Sequence, residues 1–166
     1  MYTSSFKDSE NDILQIPNCV QSISKLLFKI VQLNENEDSN ESDPFYCKNV
    51  PNISIEYYIQ RIRKYTAIEN STLILSLIYA DRICALNGLL LQPTNIHRII
   101  LSCVVLAIKF NEDAIYNNDY FAQIGGVSLK EMNYLEYHCL KMMNYNLVVD
   151  DEIFKKYVNY LMNYNK

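Results

Sequence analysis

Between Ile99 and Ile108 the chain reads IILSCVVLAI, without a single charge and with Ser102 as its only strongly polar residue. This run constrains the fold more than any other stretch. An amphipathic helix needs one covered face, but a helix apolar all round must be wrapped on every face by other elements. The run is about half of the roughly 20 residues that cross a bilayer, so it is expected inside a protein core and not in a membrane. Pro93-Thr94-Asn95 ahead of it is a helix start signal, since early helix positions favour Pro and caps favour Thr or Asn. The run closes at Lys109, followed by Phe110-Asn111-Glu112-Asp113. A cation leaving the end of a buried helix can serve the helix C-terminus or meet a partner. Spacing alone favours the first.

The rest of the chain supplies the wrapping. Residues 1–17 are expected to be disordered. From 18 to 33, Val20, Ile23, Leu27 and Ile30 form a stripe at helical spacing, with Asn18 as the expected cap. Residues 34–50 form an acidic linker whose core, NENEDSNESDP, has no apolar residue and is expected to be solvated. The main domain spans 51–149. Its first helix starts at a Ser54 cap and turns Ile55, Tyr58, Ile59, Ile62 and Tyr65 inward. A second helix runs from near Ser71 to Asn87 and stops at Gly88. The central helix follows, then a short helix near 116–125. The next helix opens on the capping box Ser128-Leu129-Lys130-Glu131 and carries the stripe Leu129, Met132, Leu135, Cys139 and Met142/Met143. A last helix over 150–166 is expected to start at an Asp150 cap. No strand pattern interrupts the series, so the fold class is all-α.

Asp81 stands out within LILSLIYADRICAL. If buried, it needs a cationic or hydrogen-bonding partner. The alternative is a polar edge beside Arg82, but few positions on this helix look solvent-facing, which favours burial. Glu136 flanks the stripe of its helix and reads equally well as a surface acid near Lys141 and His138.

Several chemistries have no residues to carry them. His97 and His138 are the only histidines, and neither sits in HExxH or at zinc-ligand spacing with cysteines. Gly88, Gly125 and Gly126 are the only glycines, too few and too scattered for a phosphate-cradling loop. The five cysteines show no CxxC, which fits reduced, packed thiols and a cytoplasmic or nuclear setting. A net charge of −4 argues against a nucleic-acid module. The expectation is a binding module with no catalytic residue, no metal and no cofactor.

An ordered set of motifs then resembles a known family. The apolar helix ending in LAIKFNED, the YADRI of the preceding helix and the later YLEYHCLKMMNYNL look like a cyclin box. The NxHR at Asn95–Arg98, the run AIKFNEDAIYNNDYFAQIGGVSLKEMNYLE and the opening PNISIEYYIQRIRKY are similar to the P/U-type cyclins. The resemblance covers about residues 18–149. It implies a five-helix cyclin box around a buried central helix, with extra N- and C-terminal helices. It also implies a non-catalytic regulatory subunit that forms a heterodimer with a cyclin-dependent kinase and activates it, engaging neither nucleic acid nor membrane. The family's lysine and glutamate for kinase binding fall on Lys109 and Glu136. Its apolar kinase contacts fall, counting without gaps, on Phe110, Leu140, Tyr145 and Leu147. Its buried structural aspartate falls on Asp81. Mitotic members pair that aspartate with an arginine at the start of the first helix. Here Asn52 takes that place, leaving Arg61 or Arg63 as the partner. The MRAIL-like substrate patch is missing, and Arg98 replaces an early leucine of the central helix, as is usual in the P/U subgroup. A second box would take on the order of 100 residues, and 19 follow Leu147, so one box is expected. The alternative reading, a cyclin-fold transcription adaptor binding DNA or polymerase, calls for basic patches, whereas Lys and Arg here are scattered.

Overall fold

The computed structural model describes residues 13, 16, 18–113 and 116–164. Among these residues the chain forms seven helices and no strand: α1 (Cys19–Leu33), α2 (Ile55–Thr66), α3 (Asn70–Asn87), α4 (Ile96–Asn111), α5 (Asn118–Gly125), α6 (Leu129–Met142) and α7 (Asp151–Tyr164). The uncharged run lies in α4, where every residue from Ile99 to Ile108 is buried. It is wrapped by α3 most extensively, then by α6, with α2 and α5 completing the sheath. Burying an Ile or Leu fully is worth about 1.5–3 kcal/mol, against about 1–2 kcal/mol to order each residue's backbone. A charge-free helix is therefore stable only while all its faces stay covered.

A second helix is nearly as enclosed. Thr72 through Ala80 of α3 are all buried, with α4 against one side and α1 and α7 against the other. The terminal helices are therefore part of the core. Val20, Ile23, Leu27 and Val31 of α1 and Phe154, Val158 and Leu161 of α7 are buried. Ile13 and Ile16, inside the stretch expected to be disordered, are buried with them. The other residues of 1–17 lie outside the described residues.

Several helix ends follow local chemistry. Ser54 accepts from the Tyr57 N–H, Asn117 from that of Tyr120, and Ser128 and Glu131 form the reciprocal capping box. Gly88 ends α3 at φ 60°, in the left-handed region that glycine enters without strain. Two expected caps differ. Asn18 is itself left-handed, at φ 51°, and its side chain caps nothing. Asn95 stands before α4 without capping it, because its amide is drawn away: Nδ2 donates to Asp43 Oδ2 and Leu90 O, and Oδ1 accepts from Gln92 N–H.

That diversion revises the linker. Asp43 and Phe45 are buried, and Asp43 also accepts from the Phe45 N–H. Gln92 donates to Glu37 O and Asn34 to Leu91 O. The acidic stretch is a strap pinned to the approach of α4, not a fully solvated tether. The NxHR motif forms the rest of the lock. His97 Nε2 meets Ile53 O at 2.8 Å, while Arg98 reaches Tyr46 O and Glu131. Two residues of the expected stripes also point outward, Tyr65 on α2 and Leu129 on α6. Tyr65 still serves the fold through its carbonyl, which takes the Tyr120 hydroxyl.

Candidate functional site

The end of α4 and the middle of α6 come together at the surface. Lys109 Nζ lies 2.5 Å from Glu136 Oε1 and donates to Asn118 Oδ1 at 2.6 Å. Asn118 Nδ2 in turn donates to Glu136 Oε2 and to Asn133 Oδ1. Three helices thus meet in one network, with Lys109 from α4, Asn118 from α5, and Glu136 and Asn133 from α6. The side chains of Lys109 and Glu136 keep 37% and 21% of their exposure, so the pair is accessible yet held. Asn118 was missed in the sequence. The Asn117-Asn118-Asp119 run reads as a turn and cap, which Asn117 alone provides, and nothing local marks its neighbour for this role.

The expected apolar contacts flank the pair unequally. Phe110 follows Lys109 on α4 and is half-buried, as is Leu140, one turn beyond Glu136 on α6. After α6 the chain turns back sharply. The Tyr145 N–H bonds to Leu140 O, and Asn144 and Tyr145 both take left-handed backbone angles, φ 53° and 56°. Tyr145 is 60% exposed, and Leu147 is half-buried against the core.

The charged residues nearby serve the framework. Glu131 is held below the usual carboxylate range, first by the Ser128 backbone N–H and also by Arg98, whose guanidinium is 2.8 Å away. Asp81 is half-buried, and neither expected arginine reaches it. Its partner is Tyr157 of α7, whose hydroxyl donates to Oδ2 at 2.6 Å. Arg61 instead donates to Gln123 O. Arg63 acts near Cys19, where its charge opposes the burial that lifts that thiol to about 11. Burial also raises the Asp81 carboxyl, against the lowering effect of the Tyr157 bond. The acid couples α3 to the last helix, a contact that lies beyond the five-helix pattern from which the arginine was inferred.

His138 packs between the rings of Tyr134 and Tyr137. Among the described residues, no group of three or more His, Cys, Asp or Glu is placed to hold a metal ion, and no helix is long and apolar enough to cross a membrane. Cys103 and Cys139 face each other across α4 and α6 with sulfurs 3.9 Å apart. Burial raises the Cys103 thiol well above its ordinary range, which makes it a packing group and a poor nucleophile.

Comparison with known proteins agrees with this architecture. The cyclin family model matches residues 18–147, beginning with the N-terminal helix. Cyclin-U2-1 of Arabidopsis thaliana is 30% identical over 167 residues, covering 97% of this chain and 74% of that protein. Cyclin-P3-1 of Oryza sativa subsp. japonica is 33% identical over 154 residues, 90% of this chain and 65% of its own length. PHO85 cyclin-7 of Saccharomyces cerevisiae is 33% identical over 165 residues, 84% of this chain and 58% of its own. The chain therefore spans less than two thirds of the latter two relatives. With an all-helical fold built around the buried Ile99–Ile108 stretch of α4 and a match over most of its length, the chain belongs to the cyclin family, in its P/U-type branch.

Proposed function

We propose that the chain is a regulatory subunit that binds a cyclin-dependent kinase and favours its active conformation. The observation that carries this reading is the Lys109–Asn118–Glu136 network, an accessible ion pair between α4 and α6 bridged from α5, with Phe110 next to Lys109, Leu140 one turn from Glu136, and Tyr145 and Leu147 on the segment after α6. An interface hot spot is built in this way, with apolar anchors supplying desolvation energy and a fixed polar group setting register. In the kinase, the helix carrying the catalytic glutamate must turn inward before the lysine–glutamate pair forms. A subunit that binds better to the inward arrangement shifts the population toward it. Moving a kinase from 1:99 to 99:1 takes about 5.5 kcal/mol of differential binding, within reach of a few well-desolvated anchors.

The test is recovery of cellular kinases on the wild-type chain and on Lys109→Ala/Glu136→Ala, with circular dichroism to show that both are folded. The expected result is a cyclin-dependent kinase on the wild type, active on a protein substrate, and little or none on the double variant. Equal recovery on both would remove the site assignment. No kinase on the wild type would remove the functional reading.

A further inference from the structure

The segment joining α6 to α7 carries two of the expected contacts, Tyr145 and Leu147, and its course is not one a free chain would settle into. Asn tolerates the left-handed region that Asn144 adopts, but a bulky residue such as Tyr145 seldom enters it. The turn's own backbone bonds end early: Asn144 N–H to Lys141 O, Tyr145 N–H to Leu140 O and Asn146 N–H to Met143 O. From there to the start of α7, direction comes from side chains.

Most of those side chains belong to α3. Arg82 Nη1 donates to Asn146 O at 2.6 Å and Nη2 to Val148 O at 3.0 Å. Between them, the Tyr79 hydroxyl donates to Leu147 O at 2.7 Å. Three successive carbonyls are thus held from one helix. The Arg82 guanidinium also lies over the Tyr79 ring, 5.9 Å from its centroid. Further back, Asn87 holds Met142 O, and the Asn146 side chain accepts from the Val148 N–H. Tyr79 is fully buried and belongs to the core, whereas Arg82 is half-exposed. It lines an open cleft of ≈ 510 Å³ with Leu86, Asn144, Asp150 and Ile153. Val149 and Phe154, both buried, anchor the chain past the loop independently of Arg82.

We propose that Arg82 is a positioning residue for the partner surface: by bracketing Leu147 through the carbonyls of Asn146 and Val148, it fixes the direction in which Tyr145 and Leu147 are presented. This rests on the reading of those two residues as kinase contacts. A planar fork with donors on two nitrogens suits the task, since one guanidinium spans two carbonyls that a lysine ammonium would meet only singly. The clamp acts on affinity by preorganisation, removing a loop-ordering cost from the binding step.

The experiment uses the full chain and the kinase it recovers. Amide hydrogen exchange is followed at residues 146–149 of the free chain, and Kd is measured for wild type, Arg82→Ala, Arg82→Lys, Tyr145→Ala and the Arg82→Ala/Tyr145→Ala double variant. Arg82→Ala is expected to keep its helical spectrum, to exchange faster at 146–149, and to bind about tenfold more weakly, as for loss of charged hydrogen bonds. Arg82→Lys should fall between the two. The double variant should bind more tightly than the product of the two single losses predicts, because Tyr145 contributes less once its direction is lost. Combination with Lys109→Ala/Glu136→Ala should instead be multiplicative. Wild-type exchange in Arg82→Ala, wild-type affinity despite faster exchange, or full multiplicativity with Tyr145→Ala would each overturn the clamp. A wild-type chain that recovers no kinase overturns the reading of the surface itself, and the role of Arg82 in binding with it.

Discussion

Tyr157→Phe removes one oxygen and almost no volume, so it isolates the bond that ties α7 to α3. The phenol donates to the Asp81 carboxylate at 2.6 Å. Hydrogen bonds to charged groups contribute about 1.5–3 kcal/mol. Here both residues are half-buried, so water reaches the vacated position and recovers part of that. A net cost of about 1 kcal/mol follows, in the range where solvent competes with the pair. In a chain of this size that lowers Tm by roughly 2–4 °C. The assay is urea unfolding followed by circular dichroism, read as a shift of midpoint at constant slope. Asp81→Asn is the companion variant, since it keeps an acceptor for the phenol and removes the charge. Burial raises the Asp81 carboxyl above its usual 3.8, so the folded state holds the proton more tightly than the unfolded state. The stability this contributes is present below 3.8 and is lost as pH rises through the folded value. At neutral pH the wild type therefore carries a desolvation cost that the Asn variant lacks. Asp81→Asn should be at least as stable as wild type at pH 7, the two converging as pH falls toward 3.8. Two results would refute the reasoning. One is Tyr157→Phe within about 0.3 kcal/mol of wild type, the limit of independent-site behaviour. The other is Asp81→Asn clearly less stable at pH 7, which would mean that the carboxylate has a favourable charge partner.

His97 is buried, with Nε2 donating to Ile53 O and Nδ1 enclosed without a partner, and burial lowers its pKa below 6.5. The unfolded chain takes up the proton first, so stability present above 6.5 declines as pH falls below it; His97→Gln should start lower but decline less between pH 7 and 5, and parallel urea midpoints would count against this. A methyl at Gly125 would overlap the side chain of Leu101, which is buried to 1% exposure, so Gly125→Ala should cost about 1–3 kcal/mol, as overpacking does, and an unchanged midpoint would show that Leu101 has room to yield.

What could be read from the sequence divides by range. The enclosed α4 was legible because ten uncharged residues permit one kind of surroundings, and the caps at Ser54 and Ser128 because each bond spans three residues. Where a side chain has a distant competitor, local reading failed. Asn95 looks like a cap but answers Asp43, 52 positions earlier. Asp81 called for a cationic or hydrogen-bonding partner, and the one it finds is not an arginine suggested by the resemblance but a phenol 76 positions later. The strap illustrates the same limit. Its composition is that of a solvated tether, yet one buried carboxylate and Phe45, just beyond its last proline, fasten it to the fold. Lys109 and Glu136 were placed by resemblance alone, since each taken singly fits a helix-end cation or a surface acid. Their meeting depends on how α4 and α6 pack, which no local pattern records.

That meeting has an energetic consequence for the proposed partner. In the free chain each charge is already answered, Lys109 by Glu136 and Asn118, and Glu136 by Lys109 and Asn118. A kinase segment docking there exchanges hydrogen bonds and gains few outright, and covering an ion pair costs desolvation that good geometry only repays. Net affinity must then come chiefly from Phe110, Leu140, Tyr145 and Leu147, while the network decides which partner orientation leaves no charge unanswered. The same logic makes truncation of one member worse than its share of the contacts, because the survivor faces the interface as an unpaired charge. Removing Lys109 and Glu136 together avoids that orphan, so the double variant reports on loss of the polar register itself. The free chain thus presents its polar guide ready-made, bridged by Asn118 of α5, with two apolar anchors on helices α4 and α6 and two, Tyr145 and Leu147, on a loop held by α3.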